Sequence, residues 1–403
     1  MKSDSAILVI NCGSSSVKFA LFAGEGDAQR RLVSGALERL GLPEARFRAR
    51  DEDRNILIDE THDIPNHVSA LDLLLSRVET LGPHYQIQAV GHRVVHGGDD
   101  CDCPLPVTPA LEARLRKLIP LAPLHLPHNL AGIMAVRVRR PDLLQVACFD
   151  TAFHKGLPRL ARLTGLPRRF EKEGIRRYGF HGLSYEYVMG ELRRRHGSAV
   201  AGERIIVAHL GNGASMAAIE GGRSVDTSMG FSTLGGLLMG TRSGDLDPGI
   251  VLHLLMEKGM TAEQVMHLLY EQSGLLGISG LSRNMKELLA QSDMVAAAAE
   301  AVDFFCYQAR KHLAALTASL GGLDRLVFTG GIGANASEIR TGICEGLGYL
   351  GIVLDGTRNA AGKQTISGSG SEVVVEAFPT DEEQVIARGV LHFLGAQLMV
   401  REA

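Results

Sequence analysis

The chain has 403 residues, enough for two or three domains, and its 45% hydrophobic and 22% charged residues are typical of a globular protein that buries large cores. A net charge of −3 gives no electrostatic reason to expect nucleic acid, and the absence of Trp argues against a platform for stacking bases. No apolar run reaches membrane-spanning length, and the run at 6–10 is too short for a signal peptide, so we expect a cytoplasmic protein. Its six scattered cysteines are then expected to be reduced thiols.

The first predicted element is a hairpin. An apolar strand at 7–10 runs into Asn11-Cys-Gly-Ser-Ser-Ser16, and residues 17–22 form a second strand that carries Lys18. Backbone N–H groups and hydroxyls in such a turn can bind phosphate oxygens, and the lysine adds a positive charge. This is not a Walker A loop, because G-x-x-x-x-G-K-[ST] does not occur. An ordinary serine-rich hairpin remains the alternative for this stretch taken alone.

The remaining elements alternate between strands and helices, which predicts a mixed α/β fold. Short apolar runs predict strands at 89–90, 145–149, 205–210, 326–328 and 373–377. Apolar residues at three- and four-residue steps predict helices at 71–81, 111–118, 263–270 and, the longest, about 294–320. Gly321 and Gly322 follow the longest helix as a C-cap signal.

Two later segments repeat the opening device. Residues 205–219 again read strand, Gly/Asn/Ser turn and strand, about 200 residues after the first copy, which indicates two similar halves. A further strand at 326–328 runs into the glycine turn at 330–335, and Asn335 and Glu338 are expected to be the N-cap and third residue of a new helix. Glycines let the backbone approach a ligand, and a helix start favours anions.

Taken together, these motifs resemble the acetokinase family, the acetate, propionate and butyrate kinases of the actin-like ATPase superfamily. The segments that carry the resemblance span nearly the whole chain: NCGSSSVKF (11–19), GHRVVHGG (91–98), FDTAFH (149–154), RRYGFHG (176–182), HLGNGAS (209–215), DTSMGF (226–231), MGTRSGDLDPG (239–249), FTGGIGAN (328–335) and PTDEE (379–383). The resemblance implies an α/β fold of two actin-like (ribonuclease H-like) domains with the active site in the interdomain cleft. The N-terminal domain would take residues 1–150 plus about 382–403, and the C-terminal, nucleotide-binding domain residues 151–381.

The activity that the resemblance implies is reversible, Mg²⁺-dependent phosphoryl transfer from ATP to acetate, giving acetyl phosphate and ADP by direct in-line transfer. Propionate is the alternative acceptor, and a homodimer is expected. Because this reaction joins two anions, the site must neutralise charge and hold the reactants in line.

The catalytic residues that the resemblance implies are Asp150, His181 and Arg242, with Arg93 binding the substrate carboxylate. The chemistry of these residues agrees with such roles. An arginine fork fits a carboxylate bidentately, and Asp150 ends an apolar strand, where a side chain of an α/β sheet points into the ligand crevice. A surface salt bridge is the alternative for either arginine, and a structural role is the alternative for His181.

Further site positions follow from the resemblance alone. Mg²⁺ would be held by Asn11 and Glu382, although Glu383 and an ordinary acidic helix start are open alternatives. His125 matches another active-site histidine. The acyl pocket would be lined by Val95, Leu124, Phe180 and Thr233. The nucleotide would contact Lys18, His209, Leu210, Gly211, Asn212, Gly213, Asn284, Met285, Lys286, Gly331, Ile332, Gly333, Ala334 and Asn335.

Two departures from the family pattern concern specificity. The family's adenosine loop reads Asp-x-Arg, whereas this chain has Asn284-Met285-Lys286, and lysine cannot stack or fork as arginine does. A Phe-Thr-Pro-Leu-Glu-Gly segment reads Phe231-Ser-Thr-Leu-Gly-Gly236 here. Nucleotide preference and the choice between acetate and propionate therefore stay open.

Two other functions also remain open. A kinase of the same superfamily that acts on a hydroxyl group would need a general base, for which Asp150 could serve. A non-catalytic nucleotide switch like actin would lack an arginine that binds substrate.

Overall fold

The computed structural model describes residues 4–13, 16–24, 29–81 and 85–401, without the side chains of Asp4, Tyr85 and 396–401. Ser14 and Ser15, whose hydroxyls the sequence assigns to phosphate binding, lie outside these residues. The chain divides into two compact units, one running to Ala152 and resuming at Asp381, the other Phe153–Thr380. Within the described ranges, no helix combines the length and the apolar character that a membrane span requires.

The first unit contains β1 (Asp4–Cys12), β2 (Ser16–Ala23), β3 (Arg30–Glu38), β4 (Ala45–Asp51), β5 (Ile56–His62), α1 (His67–Leu81), β6 (Tyr85–Val94), β7 (Leu105–Pro106), α2 (Pro109–Lys117), a 3-10 turn (Ile119–Leu121), α3 (Leu126–Arg139) and β8 (Leu144–Phe149). A 3-10 turn (Ala152–His154) follows at the boundary between the units. Among the described residues these strands form one eight-stranded sheet in the order β5-β4-β3-β2-β1-β6-β8-β7. The β1–β5 meander is antiparallel, whereas β1, β6 and β8 run parallel.

The second unit contains α4 (Arg159–Arg162), α5 (Arg168–Lys172), α6 (Gly182–His196), a 3-10 stretch (Gly197–Gly202), β9 (Ile205–Leu210), β10 (Ala214–Glu220), β11 (Arg223–Thr227), α7 (Pro248–Met256), α8 (Ala262–Glu271), α9 (Gly274–Ser279), α10 (Met285–Leu289), α11 (Ala296–Leu320), β12 (Arg325–Thr329), α12 (Gly330–Asn335), α13 (Ser337–Cys344), a 3-10 turn (Gly348–Leu350), α14 (Gly356–Ala360) and β13 (Val374–Ala377). Its described strands form a five-stranded sheet in the order β11-β10-β9-β12-β13. The last helix of the chain, α15 (Glu382–Arg401), belongs to the first unit.

The two sheets confirm that the chain contains two similar halves. In each, an antiparallel hairpin is followed by an antiparallel third strand. The first strand of the hairpin pairs in parallel with a later strand, which pairs in parallel with another: β3-β2-β1-β6-β8 and β11-β10-β9-β12-β13. The opening hairpin and its copy at 205–219 thus hold equivalent places. The order puts the first strand of each hairpin in the middle of its sheet, where it is buried between neighbours.

Burial in each unit follows the periodicity of the sequence. On one face of the first sheet, Val17, Phe19 and Phe47 pack against Leu71 and Leu74 of α1. The longest predicted helix is confirmed as α11, and Gly321 ends it in the left-handed conformation with φ 66°. Such a C-cap is easiest for glycine, which has no Cβ to strain the backbone.

The helix start predicted at Asn335 is wrong. The glycine turn itself coils into α12, which ends at Asn335, and the Asn335 side chain donates back to the Gly331 carbonyl at 2.9 Å. Ala336 is extended, and α13 begins at Ser337, so Glu338 lies in its first turn. Gly330 permits this tight start, because its φ is +77° and a Cβ there would lie 2.6 Å from the Leu210 carbonyl oxygen.

Candidate active site

In the first unit, the carboxyl ends of three parallel strands bring predicted site residues together. Asn11 lies near the end of β1, Arg93 near the end of β6, and Asp150 directly after β8. The register places Arg93 opposite Cys148, and the Asp150 backbone N–H continues the ladder by donating to the Val94 carbonyl at 3.0 Å. Strand geometry therefore accounts for a cluster whose members are far apart in sequence.

Arg93 and Asp150 form a bidentate ion pair. The Arg93 Nε lies 3.0 Å from Asp150 Oδ1, and Nη2 lies 2.6 Å from Oδ2. The Asp150 side chain is 1% exposed, so its charge depends on this partner, since an unpaired buried carboxylate is strongly unfavourable. Burial opposes the charged form of Arg93, but the carboxylates of Asp150 and Glu382 outweigh it and raise the pKa of the guanidinium above its ordinary value. The pair is thus a fixed, ionised unit.

The third nitrogen of the guanidinium is directed at two more predicted residues. Arg93 Nη1 lies 3.5 Å from Asn11 Oδ1 and 3.5 Å from Glu382 Oε2. Glu382 is the first residue of α15, which packs on β1, β6 and β8. Gly91 lets this helix approach, because a Cβ there would lie 2.5 Å from the Ile386 side chain.

The adjacent Glu383 has a different environment. Its carboxylate lies 3.5 Å from Arg31 Nη2, and Arg31 also pairs with Asp381. Burial raises the pKa of the Glu383 carboxyl, Asp381 and Glu382 add to that rise, and Arg31 opposes it. Glu382 therefore approaches the Arg93 guanidinium to 3.5 Å, whereas Glu383 pairs with Arg31.

The cluster offers a suitable, but incomplete, set of ligands for Mg²⁺. Asp150 and Glu382 provide carboxylate oxygens and Asn11 an amide oxygen, which are the hard donors that Mg²⁺ prefers. No group of three or more His, Cys, Asp or Glu among the described residues is arranged to hold a metal. Mg²⁺ commonly takes one or two carboxylates together with phosphate oxygens and water, so these residues fit a metal that arrives with a nucleotide.

Sequence reasoning missed the side chain that ties these strand ends together. Asn129, on α3, accepts a hydrogen bond from the Val95 backbone N–H at 3.0 Å and donates to the Cys12 carbonyl at 2.9 Å. It is 2% exposed and so fixes the ends of β1 and β6 from behind. Its only sequence signal was an asparagine on a helix otherwise lined by apolar residues. His125, also predicted for the site, is the residue immediately before α3.

Buried His92 supports the same strand ends. Its Nε2 lies 2.8 Å from Gln145 Oε1 on the neighbouring strand β8. Burial lowers the pKa of His92 to about 4, and the hydrogen bond to Gln145 only partly offsets that effect. The imidazole is therefore neutral at pH 7, which avoids an uncompensated charge behind the Arg93–Asp150 pair.

In the second unit, His181 heads a cluster of hydrogen-bonded histidine, serine and tyrosine side chains. It precedes α6 with φ 58° and ψ 25°, a left-handed conformation that is uncommon outside glycine and indicates a functional constraint. Its Nδ1 lies 2.8 Å from Ser215 Oγ, and the Tyr185 hydroxyl also bonds to that serine. The ring stacks on His209 at 4.3 Å between centroids, and His209 Nδ1 lies 2.7 Å from Ser184 Oγ.

The Gly213 turn lies between His181 and Arg242. A Cβ at Gly213 would lie 3.2 Å from His181 Nε2 and 3.8 Å from Arg242 Nη1, so both side chains border this glycine. Arg242 Nη1 also donates to the Thr233 carbonyl at 3.0 Å. A cation, an imidazole and a glycine turn thus lie next to one another. Such groups can together contact and stabilise an anionic oxygen.

The four residues predicted for the acyl pocket are divided between the units. Val95 and Leu124 lie in the first unit, and Phe180 and Thr233 in the second. Val95, Phe180 and Thr233 are buried. Their grouping around one substrate remains a prediction.

A pocket of about 750 Å³ in the second unit gathers most of the predicted nucleotide residues. Those that line it are Gly211, Asn212, Asn284, Met285, Lys286, Gly331, Ile332 and Asn335, joined by Arg283, Leu289, Ala336 and Glu338. Of the other predicted residues, Leu210 and Gly333 are buried. Lys18 lies on β2 in the first unit, apart from this pocket's lining.

Asn284 has a structural role at the edge of that pocket. Its Oδ1 accepts from the Lys286 backbone N–H at 3.0 Å, which caps α10, and its Nδ2 donates to Glu287 at 3.1 Å. Arg283, immediately before it, also lines the pocket. The loop therefore presents arginine and lysine side chains to a ligand, although it lacks the family's Asp-x-Arg pattern.

Comparison with known proteins agrees with this arrangement. The model of the acetokinase family matches residues 6–388. The chain belongs to the acetokinase family. An acetate kinase of Rhodopseudomonas palustris strain TIE-1 is 49% identical over 389 residues, covering 95% of this chain and 97% of the relative. An acetate kinase of Methylocella silvestris is 46% identical over 96% of this chain and 98% of the relative.

Solved structures of the same family share the fold. The crystal structure of Porphyromonas gingivalis acetate kinase matches with a TM-score of 0.86 and 38% identity, covering 97% of this chain and 100% of that one. A propionate kinase from Francisella tularensis matches with a TM-score of 0.89 and 36% identity, covering 96% and 98%. The acetokinase resemblance drawn from the sequence is thereby confirmed, and with it the actin-like α/β fold.

Proposed function

We propose that this chain catalyses the reversible transfer of the γ-phosphoryl group of ATP to acetate, giving acetyl phosphate and ADP. The observation that carries the proposal is the cluster at the strand ends of the first unit, where Asp150, Glu382 and Asn11 surround the Arg93 guanidinium. An arginine fork recognises carboxylates, and the acceptor is a carboxylate. The acetate kinases among the relatives support acetate as that acceptor.

Arg93 binds and orients the acceptor in this proposal. Its side chain is 19% exposed, so the guanidinium is accessible although Asp150 already occupies Nε and Nη2. Nη1 is the donor directed at Asn11 and Glu382, and there the acetate oxygens would be received. Asp150 keeps the guanidinium in place while it holds the substrate.

Mg²⁺ would be held by Asp150, Glu382 and Asn11 together with the nucleotide phosphates. When bound, it neutralises charge on the phosphate oxygens of the nucleotide. Arg93 prevents the two carboxylates from repelling each other before the metal arrives, since it pairs with both. The oxygen donors described above support Mg²⁺ over softer metals.

The second unit supplies contacts to the transferring group. His181 and Arg242, which both border Gly213, would donate to the phosphoryl oxygens as charge spreads over them. One acetate oxygen attacks the γ-phosphorus, and the bond from that phosphorus to the oxygen of ADP breaks. No enzyme nucleophile is required, because the attacking carboxylate is already ionised. The interdomain cleft in which the reactants would meet stays a prediction.

The nucleotide would occupy the pocket of about 750 Å³, with its phosphates toward the Gly211–Gly213 turn. Lys286 and Arg283 border the end that receives the nucleoside. ATP is the proposed donor, and Lys18 is proposed to contact phosphate from the first unit.

Propionate is the second candidate acceptor. The Francisella propionate kinase matches this fold closely, and both Val95 and Thr233 are buried positions that can set the length of the acyl pocket. One methylene in such a pocket changes discrimination by roughly 1–3 kcal/mol, so a small difference in packing decides between the acids.

A homodimer is proposed for this chain as well. Helix α7 has no buried residue, although it is strongly apolar, and Ile250, Leu252 and Met256 are 45%, 56% and 75% exposed. A second copy of the chain could cover this face. Because ATP is an intracellular substrate, we also propose a cytoplasmic location.

Hydroxylamine trapping tests the function directly. The protein is incubated with Mg-ATP, hydroxylamine and, separately, formate, acetate, propionate and butyrate. An acyl phosphate gives a coloured hydroxamate, and acetate should give the highest kcat/KM. Absence of hydroxamate from every acid would overturn the proposal, whereas a higher value for propionate would change only the acceptor.

A further inference from the structure

The first unit contains a cationic trough beside, but distinct from, the Arg93 cluster. We use this name for the cavity of about 330 Å³ lined by Lys18, Phe19, Arg31, Ser34, Gly35, Ala36, Glu38, Arg48, Arg50 and Glu383. Four of these side chains are cationic and two are carboxylates. Most of the lining residues have no part in the function proposed above.

Strand alternation explains why the trough is open. Lys18, Ala36 and Arg48 form one cross-strand row, and Ser34 and Arg50 belong to the next. The central strand β3 carries small side chains here, while the strands on either side carry long cationic ones. The opposite face of the same strands is covered by α1, so this face alone can receive a ligand.

The charge in the trough is only partly balanced by neighbouring carboxylates. Arg31 pairs with Asp381 and Glu383, and Arg48 Nε lies 3.6 Å from Asp59 Oδ1. That separation is too long for a hydrogen bond, and the Arg48 Nε is buried with no hydrogen-bond acceptor among the described residues. Lys18 and Arg50 extend into solvent.

From these observations we infer that the cationic trough binds a small phosphate-type dianion. Arg48, Arg50 and Lys18 surround a floor of small residues. The planar guanidinium groups and the ammonium group can each donate hydrogen bonds to phosphate oxygens. The cavity is large enough for inorganic phosphate and for a short carbon skeleton attached to it. Free phosphate and a small phosphate ester both carry the dianionic group that the trough would bind.

The trough is connected to the Arg93 cluster at both of its ends. Lys18 pairs with Asn11 across the β1–β2 hairpin, and Glu383 follows Glu382 in α15. A dianion would compete with Glu383 and Asp381 for Arg31 and so alter the start of α15. This regulatory effect rests on the proposed function, and we expect it to be an inhibition that saturating ATP and acetate do not relieve.

Calorimetric titration with inorganic phosphate tests the site. The protein is first saturated with Mg²⁺, a non-hydrolysable ATP analogue and acetate, so that the nucleotide, phosphoryl and acceptor positions are all filled. Arg48→Ala and Arg50→Ala should each weaken phosphate binding roughly tenfold, because each removes a charge-assisted contact. Arg30→Ala is the matched control, since Arg30 lies on β3, is exposed and pairs with Glu52 outside the trough. Its phosphate affinity should equal that of the unmodified protein.

The outcomes separate this inference from the proposed function. Equal phosphate affinity in all four proteins, or no phosphate binding to the saturated protein, would overturn it. Arg50 is exposed, so Arg50→Ala should leave the fold intact, and hydroxamate formation without phosphate checks that each variant is active. Loss of hydroxamate in the unmodified protein would instead refute the proposed function. Tighter binding of glycerol 3-phosphate than of phosphate would identify an ester as the ligand class.

Discussion

The two sheets share a strand order but carry different chemistry where their strands end. In the first sheet, Asn11 pairs with Lys18 across the hairpin, and Arg93 follows on the neighbouring parallel strand. In the second, His209 pairs with Ser215, and Thr329 is opposite His209 on the parallel neighbour. Equivalent places hold an amide and two cationic side chains in one unit, and a histidine and two hydroxyl side chains in the other.

The difference indicates a division of labour within a duplicated fold. The charged cluster is held by ion pairs around Arg93, which suits a carboxylate substrate and a divalent cation. The histidine cluster of the second unit is held by the hydrogen bond between His181 and Ser215, and the Gly213 turn lies beside Arg242. Such a turn suits the close approach of phosphate oxygens. The following predictions test whether the two clusters have these separate roles.

The largest effect is expected for Asp150→Asn. The substitution removes one charge of the buried ion pair and one proposed metal ligand, so kcat should fall roughly a thousandfold. Hydroxamate formation at saturating Mg-ATP and acetate measures it. Asp142→Asn is the control, because Asp142 is 67% exposed and pairs with the nearby Arg140. A decrease of less than tenfold for Asp150→Asn would contradict a central role for the charged cluster.

His181→Asn should lower kcat roughly a hundredfold with little change in the KM for acetate. Asparagine tolerates the left-handed backbone at this position, so the substitution removes the imidazole without adding strain. Ser215→Ala should have a smaller effect in the same direction, since it keeps the imidazole and removes the hydrogen bonds that Ser215 makes with His181 and Tyr185. His267→Asn, at an exposed position, is the control. A selective increase in the KM for acetate would place His181 at the acceptor instead.

Acid should destabilise both units, because each buries a neutral histidine. Burial lowers the pKa of His92 and of His154 to about 4, below the value near 6.5 of an unfolded chain. The unfolded state then binds more protons between those values, so stability falls as the pH drops from about 6.5 towards 4, by up to roughly 3 kcal/mol for each histidine. Urea unfolding between pH 7.5 and 5 measures the slope, which should be smaller in His92→Gln. An unchanged slope in that variant would show that His92 does not contribute.

The smallest effect is expected at the nucleoside end of the pocket. Lys286→Arg restores a planar guanidinium that can stack on a base, so the KM for ATP should fall about threefold while the KM for acetate stays constant. Lys258→Arg, at an exposed position outside the pocket, is the control. If Lys286→Arg changed the KM for acetate and left the KM for ATP unchanged, the assignment of this pocket to the nucleotide would be wrong.

Local sequence patterns predicted the helices and strands better than they predicted the side-chain contacts. The apolar spacing that defines α11 and the glycines that end it are properties of neighbouring residues, so the helix and its cap were predictable. The turn at 330–335 was assigned to a loop because glycine runs favour loops, yet it forms α12. The alternating Ala45–Asp51 segment carries a clear strand signal, with Phe47 buried and Arg48 facing outward, and was overlooked because so many of its residues are charged.

The candidate site shows a similar limit. The family resemblance named Arg93 and Asp150 separately, but their pairing depends on the register between β6 and β8, which no local pattern reveals. Asn129 and Ser215 act through hydrogen bonds to partners distant in sequence, so their roles depend on contacts that no local pattern reveals.

The most direct test of the central claim is a comparison of both substrates in Arg93→Ala. If the charged cluster of the first unit holds the acceptor, the KM for acetate should rise roughly a hundredfold and the KM for ATP should change by less than about threefold. Steady-state hydroxamate kinetics with each substrate varied in turn provide both values. An increase confined to the KM for ATP would contradict the claim that Arg93 binds the carboxylate.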